Sequence, residues 1–124
     1  MRYMMLIYSQ ENESATADEL KEVAAAHSSV MDETNRRGIF RAADPLQPTS
    51  TATIVRVQDG KVLVTDGPFA ETKEQLAGYY ILDCQDLDEA LEWAAKIPTA
   101  CRGGAGYIEV RPIREIGKPN AVHG

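Results

Sequence analysis

Basic side chains are the scarcer charge in this sequence: 13 Lys and Arg stand against 19 Asp and Glu, a net charge of -6. Sequence-independent binding to nucleic acid needs a concentrated basic surface, so no nucleic-acid partner is expected. Histidine is scarcer still, with two residues, of which His123 lies in the C-terminal tail. One internal imidazole, His27, with no cluster of His, Cys and carboxylates at ligand spacing, gives no metal site. The two cysteines, Cys84 and Cys101, have no C-x-x-C spacing; they read as free thiols rather than as a disulfide. No P-loop and no G-x-S-x-G occurs, and Gly103-Gly104-Ala105-Gly106 lacks the G-x-G-x-x-G spacing. That stretch is a loop, and no cofactor is expected. Long apolar runs are missing too. Met1–Tyr8 gives way at once to Ser9-Gln10-Glu11, too short for a secretory core or a bilayer span. The expectation is a cytoplasmic protein with no membrane partner.

What is present fits one compact domain. At 124 residues, 44% hydrophobic and 26% charged, the chain is long enough to bury a core. A single domain is expected over residues 1–116, followed by a tail at 117–124. Arg2–Tyr8 reads as a strand with both faces apolar, Tyr3, Met5 and Ile7 on one and Met4, Leu6 and Tyr8 on the other. A helix follows from Asp18 to Arg37, with capping-box spacing at Thr16 and Glu19 and a stop at Gly38. Its apolar stripe is Leu20, Val23, Ala24, Val30 and Met31. His27, seven residues after Leu20, falls on that stripe and faces the sheet.

Ile39–Ala43 is a candidate strand ending at Asp44-Pro45. Asp59-Gly60 between Thr53–Val57 and Lys61–Thr65 is a two-residue hairpin signal. That turn pairs Gln58 with Lys61, Val57 with Val62, Arg56 with Leu63, Val55 with Val64 and Thr53 with Asp66. Gly78–Cys84 is again apolar on both faces, Tyr79 and Ile81 opposite Tyr80 and Leu82. Asp86 and Glu89 cap a second helix, Leu87–Ile97, which buries Ala90, Leu91, Ala94 and Trp93 and stops at Pro98. Tyr107–Pro112 is the last strand. The order β-α-β-β-β-β-α-β predicts an α+β fold, a ferredoxin-like two-layer sandwich. Two helices cover one face of such a sheet. The apolar second face predicts a homodimer.

Three blocks carry a family resemblance. They are Thr53-Ile54-Val55-Arg56 with Asp59-Gly60; Asp66-Gly67-Pro68-Phe69-Ala70-Glu71-Thr72-Lys73-Glu74-Gln75 running on to Gly78-Tyr79-Tyr80; and Glu109-Val110-Arg111-Pro112. On these the chain resembles the YCII-related family, in its DGPF-domain branch, from Met1 to about Ile116. The resemblance implies a dimeric α+β barrel built on the ferredoxin-like fold. In the wider group, which a dehydrochlorinase resembles, a His on the first helix paired with an Asp is proposed as an acid–base site. His27 matches that histidine, but Ile97 stands where the partner Asp would be. Members of this branch are often encoded beside extracytoplasmic-function sigma factors, which implies a regulatory partner by association.

The candidate site follows from these positions. His27 is either a general base or a core histidine satisfied by one hydrogen bond. Asp66 either orients His27, acts as the base itself, or accepts N–H groups of the Gly67-Pro68 turn. Arg56, in mid-strand, either clamps an anionic ligand or pairs with Glu71, Glu74 or Glu109 or with a dimer mate. Gly67, Pro68 and Phe69 form the signature turn, with Phe69 a plug for the core or interface. Glu71 and Lys73 are either ligand contacts or a solvated charged turn, and Tyr80 either lines a pocket or packs in the core. Two functions compete. One is a small-molecule binding protein for a polar or anionic ligand, acting as a cofactor-free lyase or isomerase through His27. The other is a non-catalytic ligand-sensing module tied to sigma-factor-type transcription control.

Overall fold

The computed structural model describes residues 1–11, 15–67, 74–99 and 106–117. Eight main elements follow one another in the expected order: β1 (Arg2–Ser9), α1 (Ala17–Arg36), β2 (Phe40–Pro45), β3 (Thr53–Gln58), β4 (Lys61–Asp66), β5 (Gln75–Asp83), α2 (Leu87–Ala94) and β6 (Gly106–Pro112). A 3-10 turn at Thr49–Thr51 lies between β2 and β3. Local chemistry explains both helix starts. Thr16 accepts the Glu19 N–H at 3.1 Å while Glu19 reaches back to the Thr16 N–H, a complete capping box. Asp86 accepts the Glu89 N–H at 2.9 Å and caps α2.

Four strands form one antiparallel sheet in the order β2-β5-β1-β6. Two interior strands, β1 and β5, are therefore the two with apolar residues on both faces. This α+β arrangement is compatible with the ferredoxin-like fold. Alternation along the interior strands decides the core: Tyr3, Met5 and Ile7 of β1 and Tyr80 and Leu82 of β5 are buried with Val30 of α1 and Ala90, Trp93 and Ala94 of α2. Their neighbours Met4, Leu6, Tyr8, Tyr79 and Ile81 occupy the other face and stay half-exposed.

The β3–β4 hairpin forms a separate two-stranded sheet with the register predicted from its turn, Gln58 opposite Lys61 through Thr53 opposite Asp66. Asp59 (φ 53°) and Gly60 (φ 76°) both sit in the left-handed region, as a type I′ turn requires.

Three expectations change. The Gly78–Cys84 strand begins earlier, at Gln75, because a bulge between Ile7 and Tyr8 lets β5 continue pairing along β1. The second helix ends at Ala94; Ile97 is reached by a tight turn and buried in the core. Leu91 is 48% exposed, since the face toward the sheet is already set by Ala90, Trp93 and Ala94 at i, i+3 and i+4.

Candidate functional site

The first helix meets the sheet at one end only. Val30 and Thr34 are buried, and the Thr34 hydroxyl is satisfied by donation to the Val30 carbonyl at 2.7 Å. Toward its N-terminus the helix stands off: Leu20, on the same apolar stripe, is 55% exposed. Between that end of α1 and the sheet lies a cleft of about 770 Å³, within the range of small-molecule sites. Its walls are mostly apolar, with Ile7 from β1, Leu20, Val23 and Met31 from α1, Ala43 and Leu46 at the end of β2, and Leu76 and Ala77 at the start of β5.

Backbone approach shapes the far wall. Gly78 is buried, and a Cβ there would meet the Asp44 carbonyl oxygen at 2.8 Å, so only glycine lets β2 lie this close to β5. The Leu46 N–H then donates to the Ala77 carbonyl at 2.8 Å, and the Thr49 N–H donates to Glu11 at 2.7 Å. These bonds hold the Pro45–Ser50 segment over the end of the sheet.

His27 lines this cleft. Its Nδ1 lies 2.8 Å from the Tyr80 hydroxyl, the rings stack at 5.8 Å and 23°, and the Tyr80 hydroxyl also lies 3.4 Å from the His27 carbonyl oxygen. Burial lowers the imidazole below its usual value and raises the Tyr80 phenol to about 12, so both are neutral near pH 7. The pair has two proton arrangements. In one the tyrosine donates to Nδ1 and the histidine carries its proton on Nε2. In the other Nδ1–H donates to the phenol oxygen, the phenol donates to the carbonyl, and Nε2 keeps its lone pair. The second arrangement is a base oriented by a hydroxyl.

The structure brings His27 and Tyr80 together and does not bring Asp66 or Arg56 to the cleft. Asp66 ends β4, exposed, opposite Thr53; Arg56 is exposed in the middle of β3; neither lines the cleft. Gly67 follows at φ +98° and donates its N–H to the Ala52 carbonyl at 2.8 Å, which closes the base of the hairpin. Pro68, Phe69, Glu71 and Lys73 lie outside the described residues, as does Cys101. Cys84 is buried and free, with its thiol pushed up to about 11 by burial, which makes it a packing group rather than a nucleophile. The sequence held the signal for the His27–Tyr80 pair: His27 faces the sheet from the helix, Tyr80 lies on one face of an interior strand, and a buried tyrosine hydroxyl needs a partner. The Pro45–Ser50 wall had no such signal.

Fold and site together describe a small antiparallel α+β domain with a histidine-bearing cleft between its first helix and its sheet. The chain belongs to the YCII-related family, whose domain it matches over residues 1–117. It is similar to an uncharacterised protein of Rhizobium meliloti (strain 1021), at 38% identity over 115 residues, which cover 91% of this chain and 92% of that relative. Among the described residues, no helix is long and apolar enough to cross a membrane.

Proposed function

We propose that this protein, a DGPF-branch member of its family, binds a small organic molecule in the cleft between α1 and the sheet and presents His27 to the molecule's polar end. The observation that carries this is a half-buried imidazole, held through Nδ1 by Tyr80 and opening into an otherwise apolar cleft. If turnover occurs, it is cofactor-free proton transfer, an elimination or isomerisation. Nε2 removes a proton from carbon, Nδ1–H is steadied by the phenol oxygen, and the lowered pKa keeps the base unprotonated at neutral pH. Tyr80 takes the orienting place considered for Asp66.

One observation favours a non-catalytic, ligand-sensing or regulatory module instead. The partner of His27 is a neutral phenol rather than a carboxylate, so it gives the developing imidazolium less support. A fragment library screened by protein-observed NMR, with wild type and His27→Gln compared, separates the two. An enzyme loses turnover in the variant while retaining binding; a sensor retains both its ligand and its response. Loss of the cleft-residue shifts for every fragment in wild type rules out the cleft as a binding site.

The second, half-exposed apolar face with Met4, Leu6, Tyr8, Tyr79 and Ile81 supports assembly as a homodimer through that face.

A further inference from the structure

The geometry around Tyr80 decides which of the two proton arrangements the cleft presents. The phenol proton has two acceptors in reach, His27 Nδ1 at 2.8 Å and the His27 carbonyl oxygen at 3.4 Å. A good O–H···O bond is about 2.5–3.0 Å long, so the carbonyl is the poorer acceptor. That carbonyl also lies inside α1, where the helix ladder already supplies it with the N–H of Met31, four residues on. Were Nδ1 to donate to the phenol oxygen, the phenol's own proton would be left with the long bond, on a residue only 2% exposed. With the phenol donating to Nδ1 instead, its proton is well placed and the single ring proton falls on Nε2. Among the described residues no protein group meets Nε2, and no buried side-chain N or O lacks a partner, so Nε2 is open to the cleft that His27 lines. Burial keeps this imidazole neutral near pH 7. One neutral N–H among apolar walls satisfies a carbonyl oxygen. It does not replace the water a carboxylate gives up, and it has no lone pair for an ammonium.

We infer that the polar end of the cleft's ligand is an uncharged acceptor, the carbonyl of a ketone, ester or amide, received by His27 Nε2–H, and that Tyr80 is the positioning residue that holds the imidazole in this tautomer. This rests on the cleft being the ligand site. It sets aside the anionic preference drawn from Arg56, which is exposed on the hairpin. Abstraction of a proton by Nε2 uses the other arrangement, so the resting site is set for binding.

The test reads the tautomer and the ligand preference separately. Long-range proton–nitrogen correlation NMR of the His27 ring at pH 7.5 is expected to show Nε2 protonated and Nδ1 bare in the free protein, and a mixture of the two tautomers in Tyr80→Phe. Three probes with one phenylalkyl body, 4-phenyl-2-butanone, 3-phenylpropanoate and 3-phenylpropylamine, are titrated at the same pH and followed by amide shifts of Ala24, His27 and Leu46. The ketone is expected to bind about tenfold tighter than either charged probe. His27→Leu is expected to weaken the ketone about tenfold and Tyr80→Phe about threefold; Trp93 emission checks that each variant is folded. A charged probe binding as tightly as the ketone, ketone affinity unchanged in His27→Leu, or a proton found on Nδ1 in the free wild type overturns the carbonyl assignment while leaving the cleft as a site. A tautomer unmoved in Tyr80→Phe overturns the positioning role of Tyr80. No shift at those amides with any probe overturns the cleft reading itself, and the carbonyl assignment with it.

Discussion

The two ends of α1 carry the same periodic stripe and meet different fates. Val30 is 6% exposed and Thr34 fully buried, while Leu20, on that stripe nearer the N-terminus, is 55% exposed. Helical spacing says which residues share a face; whether that face is filled depends on what the rest of the chain places opposite it. Opposite Val30 stand the core side chains of β1 and β5. Opposite Leu20 stands the cleft. The unfilled end is where the imidazole sits, so binding capacity here comes at the expense of packing.

This contrast can be broken by substitution. The largest effect is expected at the packed end: Val30→Ala removes two buried methyl groups and leaves a cavity, destabilising the fold by about 2 kcal/mol in urea unfolding. At the boundary, Tyr80→Phe deletes the hydroxyl that serves Nδ1 and is expected to cost about 1 kcal/mol. The same change should alter the His27 titration followed by imidazole NMR, which a purely apolar role for Tyr80 would leave unmoved. A pH effect comes next. Because the folded state holds the His27 pKa below 6.5, the unfolded chain takes up a proton first as pH falls. Stability should therefore be fully present above about pH 6.5 and decline below it, down to the folded-state value. His27→Gln should flatten that slope in denaturation curves recorded across the interval. The smallest effect belongs to the open end: Leu20→Ala should stay within about 0.5 kcal/mol of wild type, yet weaken binding of any probe whose apolar body lies against α1.

The same division governs how much was legible in the sequence. Features fixed by neighbours along the chain were readable, because their physics is local. The Thr16–Glu19 box, the Asp86 cap and the hairpin register set by Asp59-Gly60 each follow from a few residues. The two-faced apolar patterns of β1 and β5 marked both as strands that need cover on two sides, and the position of His27 on the stripe aimed it inward. What could not be read depends on distant backbone paths. The cleft arises where Gly78 admits β2 close to β5 and where Pro45–Ser50 is tied down by Ala77 and Glu11. The contribution of Thr34 was hidden because its hydroxyl is satisfied within its own helix, which lets a nominally polar residue behave as core. The hairpin's place apart from the main sheet, with Asp66 and Arg56 on it, depends on chain direction between β2 and β5, which no local pattern encodes.

The position of β1 in the sheet also bears on how the molecule is made. Met5 pairs with Tyr80 on one side and with Val110 on the other, so the central strand is complete only when segments far along the chain arrive. Such non-local pairing is slow, because loop closure precedes any gain from contact. The β3–β4 hairpin, whose partners adjoin one turn, forms in about 1–10 μs on its own. During synthesis the hairpin can therefore take shape while Met4, Met5, Leu6 and Ile7 still wait for both neighbours. A nascent chain with that strand uncovered is the form most exposed to aggregation and to chaperone capture, and shielding it matters most before β6 leaves the ribosome.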